Sequence, residues 1–162
     1  MIHNMNSYFS AEKQESIIFM AVGLVVITLS IWLWMNDHRL KSMAYPLVII
    51  GLMQLVVGST VYLRTDLQAS TLTTQLQENP ESFQRDEISR MQTVMKNFSI
   101  YKMIEMLLLI TGLAMIAFWQ RNDIAAGIGI GLILQAAITL VLDIFAETRG
   151  ADYLVALLGM QG

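Results

Sequence analysis

The chain has 162 residues, a formal net charge of −3, 55% hydrophobic and 14% charged residues, and a mean hydropathy of +0.54. Soluble domains use about 25% charged residues, so the charge deficit argues against a soluble domain, and the length allows one domain. Cysteine is absent, which excludes disulfides, thiolate metal sites, thiol nucleophiles and cysteine-borne lipids; two histidines (His3 and His38) are too few for a histidine-rich metal site, and the charge gives no basic footprint for nucleic acid.

Four apolar runs follow in order. Ile17–Met35, Met43–Leu63 and Ile124–Leu142 contain no charge, and Met103–Trp119 contains one, Glu105. A helix crosses a bilayer core with about 20 apolar residues. Backbone groups in lipid must be satisfied within the segment, which makes these runs helices, and no stretch alternates long enough for a barrel strand. The expected fold is therefore an all-α, four-transmembrane-helix bundle. It forms one membrane domain over 1–162, with spans at about 17–35, 43–63, 99–119 and 124–145. The segment before the first run carries Glu12, Lys13 and Glu15 and lacks a small-residue cleavage site after it, so the run reads as a retained span.

The connections Asn36–Ser42 and Gln120–Asp123 are short and make helices 1–2 and 3–4 antiparallel neighbours. The long polar stretch between spans 2 and 3 has helical chemistry. Asn79-Pro80-Glu81 is a helix start, Glu81–Arg85 and Asp86–Arg90 are i,i+4 acid-first pairs, and Ile88, Met91, Met95 and Phe98 recur at helical spacing. One helix is expected from Pro80 to Trp119. Tyr62, Thr65, Ala69, Leu72 and Leu76 continue helix 2 in the same manner. The two helices should form a hairpin outside the membrane over about 64–98, with Leu72 and Leu76 facing Ile88 and Phe83.

Lys13, Arg64, Arg85, Arg90, Lys96, Lys102 and Arg149 fall on the side of the termini and hairpin, against Arg39, Lys41 and Arg121 in the short loops. That count places the termini and hairpin in the cytoplasm, although the short loops are the denser in basic residues.

Counting outward from the two turns sets Gln54, Glu105, Gln135 and Thr139 at similar depth in the bilayer. An intramembrane acid costs about 2.5–3.5 kcal/mol to insert and marks a functional candidate. The competing use is interhelical hydrogen bonding, with Glu105 neutral or paired to Lys102. A second polar layer, Arg64, Lys102, Asp143 and Glu147, falls at the rim, where charged and aromatic belts are usual. Gly127 and Gly131 form a GxxxG pair, and Gly51 and Gly58 mark one face of helix 2. Such residues serve contacts within a bundle or between copies in a homo-oligomer, and the pattern leaves both open. Gly150 is expected to end helix 4, leaving Tyr153–Leu158 as a short apolar segment at the interface or across the bundle.

The strings VYLRTD, MKNFSIYKMIE, GIGIGLILQAAITLVLD and FAETRGADYL resemble small four-helix inner-membrane proteins of Gram-negative bacteria. The resemblance implies a bacterial inner-membrane location and brings no catalytic residues. With no catalytic constellation and no cofactor expected, the sequence points to a non-enzymatic protein with a membrane or cytoplasmic protein partner. An immunity protein against a membrane-acting toxin and a small accessory subunit both fit. The alternative is an oligomeric proton or cation channel, or a transporter component, built on Glu105.

Overall fold

The computed structural model describes residues 1–36, 40–119 and 121–159. The centre of the first short connection, with His38 and Arg39, and Gln120 in the second lie outside the described residues. Four long helices make up the fold: α1 (Ile2–Asn36), α2 (Ala44–Glu78), α3 (Pro80–Phe118) and α4 (Asp123–Leu158), with a single turn of 3₁₀ helix at Lys41–Met43 before α2. The all-α four-helix reading of the sequence is what the chain adopts, and each helix is long and apolar enough to cross a membrane.

Local chemistry sets the helix starts. The Asn79 side chain accepts from Ser82 N at 3.1 Å, with Pro80 in the first turn and Glu81 beside it. Asn122 accepts from Ile124 N and Ala125 N at 3.0 and 3.2 Å. Both satisfy amides that a helix start otherwise leaves bare.

At 35, 35, 39 and 36 residues, the helices run roughly 52–58 Å at 1.5 Å rise, nearly twice a bilayer core. The surplus stands at one end. Helices 2 and 3 extend beyond the apolar runs as their spacing predicts, and α1 and α4 extend beside them. What the sequence suggests as a hairpin is thus a four-helix cap. Its core joins Met5, Tyr8 and Phe9 of α1, Leu72 of α2, Phe83 and Met91 of α3, and Tyr153 and Leu157 of α4. Leu76 and Ile88 pack at its margin, so the predicted seam residues do share one core. The arms of the hairpin nonetheless touch each other little: α2 lies mainly along α1, and α3 along α4.

Gly150 does not end α4. It is helical, with no positive φ anywhere among the described residues, and a Cβ there would stand 3.2 Å from Met95 Sδ. Glycine costs a helix interior about 1 kcal/mol. Carrying the helix on buries Tyr153 and Leu157, and Gln84 Nε2 donates to Leu157 O at 2.7 Å, so packing outweighs propensity. Of the two predicted i,i+4 ion pairs neither forms. Arg90 turns to Glu87, Arg85 lies beside Asp86, and Asp86 accepts from Gln75 and Ser82.

The apolar half is built the other way round from the cap. Beyond one apolar cluster of Val26, Leu33, Met43 and Leu47 near the short-loop end, its buried positions are mostly small or polar: Gly23, Ser30, Gly51, Gln54, Gly58, Gly112, Gly127, Gly129, Gly131, Gln135, Ala136 and Thr139. Its outward positions are large and apolar, among them Leu24, Ile49, Met53, Val56, Met103, Leu107, Ile110 and Leu113. Water would drive such side chains inward, whereas lipid solvates them and leaves close backbone packing to hold the helices. A slab of lipid fits between two aromatic belts. Trp34 stacks edge-on to Tyr45 with Lys41 above its ring, and Trp119 lies near the same end. Tyr62 under Lys13, and Tyr101 beside Phe98, mark the other. Tyr45 to Tyr62 and Tyr101 to Trp119 each cover about 26 Å of helix, close to the roughly 30 Å of a hydrocarbon core. The chain is a multi-pass membrane protein with a helical cap on one face.

Candidate functional site

Helix register brings the intramembrane polar residues to one level. Gly112 meets Gly129 across α3 and α4, and the same offset pairs Gln84 with Leu157 at the cap end. The two helices therefore stay in step over their whole length, and Glu105 falls opposite Ala136, between Gln135 and Thr139. Gly131 sits on Pro46 and Met43; since α2 and α4 run parallel, Gln54 then lies level with Thr139. Gln54, Glu105, Gln135 and Thr139 fall within about one helical turn of each other in height, as counted from the sequence. All four are buried.

Their hydrogen bonding is sparse. Thr139 Oγ1 donates back into its own helix, to Gln135 O at 3.0 Å and Ala136 O at 3.2 Å. Glu105 Oε2 has no partner. Gln54 and Gln135 have none at either amide atom. Amide-to-amide glue between Gln54, Glu105 and Gln135 is therefore not what this layer makes.

The four rim residues divide. Lys102 Nζ pairs with Glu147, not with Glu105. Asp143 lies one turn before Glu147 on the same face of α4. Arg64 leaves the group altogether and meets Glu12 of α1 at 3.6 Å. The rim is thus two contacts, one on the α1–α2 side and one on the α3–α4 side.

A third polar group, inside the cap, has no counterpart in the sequence reading. Arg90 donates from Nε and NH2 to the two oxygens of Glu87, both at 2.7 Å, and its guanidinium lies 5.8 Å from the Phe9 ring centre. Glu87 is fully buried. Tyr8 stacks on Tyr153 with ring centroids 4.6 Å apart. Around this centre Thr65 and Arg64 hold Glu12, and Arg149 holds Glu15. Burial pushes the Tyr8 hydroxyl up to about 12 and Tyr153 higher still, with Glu87 adding to both shifts. Burial alone would lower Arg90, but its bonds to Glu87 outweigh it and hold the guanidinium protonated. A helical spacing of Met1, Met5, Tyr8 and Glu12 was the available signal, and it lies outside the apolar run that draws the eye.

Glu12 and Glu15 titrate above the ordinary carboxylate range because burial outweighs Arg64 and Arg149 respectively. A carboxyl raised on folding binds its proton more tightly in the folded state. Its stabilising contribution is therefore present below the ordinary glutamate pKa and fades as pH rises through the folded value. The unfolding temperature of the cap in detergent should carry that falling component above about pH 4.5. Glu12→Gln should flatten the slope, and an unchanged profile would refute the assignment.

No protein-family model, curated protein or solved structure matches the chain.

Proposed function

We propose that this chain is a non-enzymatic protein of the bacterial inner membrane that acts by binding another protein, with the cap as its docking element. The observation that supports this most is the cap itself. Four spans need no shared extension to stay in lipid, yet all four helices run on together, close a core of their own and carry a polar exterior. A rigid helical surface of this kind suits recognition by a partner helix or loop. An immunity protein against a membrane-acting toxin, or an accessory subunit of a membrane complex, would use it so. The cap and both termini face the cytoplasm, supported by the seven basic residues on that side.

Photo-crosslinking in intact cells tests the reading. A crosslinker at Gln77 or Gln92, both exposed on the cap, should trap one discrete protein, and a crosslinker at the lipid-facing Leu52 or Leu107 should not. The trapped species should fall away when unlabelled parent protein is co-expressed. Lipid adducts alone at every position would refute a protein partner. Terminal reporter fusions should be active as cytoplasmic reporters and silent as periplasmic ones; the reverse would put the partner outside the cytoplasm. Proton flux through the purified protein in vesicles would favour the channel reading instead.

A further inference from the structure

Helix faces aim the polar layer at the centre of the bundle. At about 3.6 residues per turn, Gln54 falls between the α2 face that Gly51 lays on α1 and the face that Pro46 lays on α4. Gln135 and Thr139 fall between the α4 face that Gly131 lays on α2 and the face that Gly129 lays on α3. Glu105 is two turns from Gly112, on the face that α3 turns to α4. From α1, Gly23 comes up against Gln54: a Cβ there would lie 3.0 Å from Gln54 Cβ. Gln54 is 1% exposed and Gln135 0%, and neither amide atom of either residue has a partner.

The layer is rich in acceptors. Glu105 Oε2 and both carboxamide oxygens are unpartnered. Thr139 spends its hydroxyl proton on Gln135 O and Ala136 O, which leaves lone pairs alone to face the layer. Against these stand only the two amide nitrogens as donors. The cations of the adjoining rim and cap are engaged: Lys102 is on Glu147, Arg64 on Glu12 and Arg149 on Glu15. Oxygen donors of this kind suit a hard cation. Among the described residues no group of three acidic, histidine or cysteine side chains could hold a metal ion, which points away from divalent and transition metals and toward a singly charged ion matched to the one carboxylate. Toward the short connections the interior is filled by Val26, Leu33, Met43 and Leu47, and Gly112 closes on Gly129. The layer therefore ends there and does not continue as a passage.

We propose that Gln54, Glu105, Gln135 and Thr139 bind one alkali-metal cation, stripped of most of its water, at the centre of the bundle. The ion enters from the cap side, where Asp143 stands part-exposed one turn beyond Thr139. It is held and not conducted, because the apolar cluster blocks the far side. The site stands independently of any protein partner.

Thermal unfolding of the protein in lipid nanodiscs, followed by circular dichroism at neutral pH, tests it. Choline chloride is exchanged for sodium or potassium chloride at constant ionic strength. Tm should rise with the concentration of one of the two ions, as it does for any ligand that binds the folded state alone, and the ion with the larger effect is the one the site takes. Glu105→Gln and Gln135→Met, which keep side-chain volume, should each abolish the rise with helix content unchanged. Gln14→Met, at an exposed amide of α1, should retain it. Equal Tm values for the parent in choline, sodium and potassium, or a rise that survives both substitutions, would overturn the proposal. Equilibrium dialysis of the parent with radioactive sodium or rubidium needs no variant to fold: saturable binding of one ion per chain is expected, and its absence would overturn the site. Flux of the bound ion across vesicles holding the parent would overturn the claim that it is held.

Discussion

Replacing Arg90 by Met should loosen the cap by about 3–5 kcal/mol, the range for stranding one member of a buried ion pair. The reason lies in Glu87, which is 1% exposed and receives both of its charged bonds from that guanidinium. Without Arg90 the carboxylate has only the apolar cap core and the tyrosines around it, and must stay charged without a partner or take up a proton. Methionine matches the aliphatic stem of arginine, so lost packing contributes little. The double change Glu87→Met with Arg90→Met should recover most of the loss, because an apolar pair in the same volume leaves no orphan charge. Hydrogen exchange of cap amides in 80–99 and 144–158, in detergent, reads this opening directly. Equal exchange in the single and double variants would show that the buried pair is not what orders the cap.

The cap also shows where sequence reading stops. Helices 1 to 4 through the membrane are legible because each is a nearly charge-free run of bilayer length, and lipid leaves the backbone no other choice. The Asn79-Pro80 start is legible because capping is local. The layer of Gln54, Glu105, Gln135 and Thr139 can be found by counting, since antiparallel helices with short turns keep step. What fails is anything that depends on a third helix. The N-terminal turns of α1 are too polar to draw notice alone, and Gly150 looks like a stop. Tyr8, Phe9, Tyr153 and Leu157 become a core only when four helices converge. Ion-pair choice fails for the same reason: Asp86 and Glu87 are adjacent, and burial of Glu87 decides which of them Arg90 takes. Arg64 is assigned to the rim by height, but its partner Glu12 comes from α1, whose register is fixed by Gly23 against Gly51 rather than by a turn.

In the membrane half the usual sense of core mutations should reverse. Gly112 of α3 and Gly129 of α4 meet backbone to backbone. A Cβ on Gly112 would lie 2.7 Å from Gly129 O, and one on Gly129 would lie 2.8 Å from Gly112 O. A carbonyl cannot rotate aside as a side chain can, so Gly112→Ala must push α3 and α4 apart. Overpacking of this kind costs about 1–3 kcal/mol. Because Glu105 is two turns along the same helix pair, the separation should also open the buried layer of Glu105, Gln135 and Thr139. Gly131 packs within the chain too, with a Cβ 2.7 Å from Pro46 Cγ and 2.9 Å from Met43 O, so its GxxxG motif joins α4 to α2. Gly131→Ala should accordingly lower the stability of the monomer. Dissociation of an oligomer with monomer stability unchanged would instead assign the motif to contacts between copies. Gly159, where a Cβ meets nothing within 4 Å, serves as the neutral control. Leu107→Ala, on the outer face of α3, should cost far less than the cavity penalty of a soluble core, because lipid chains refill the space. Unfolding in a denaturing-detergent titration, followed by circular dichroism, orders the four variants. If Gly112→Ala proves as harmless as Gly159→Ala, the helices are not held by close backbone contact, and the inside-out reading of this half is wrong.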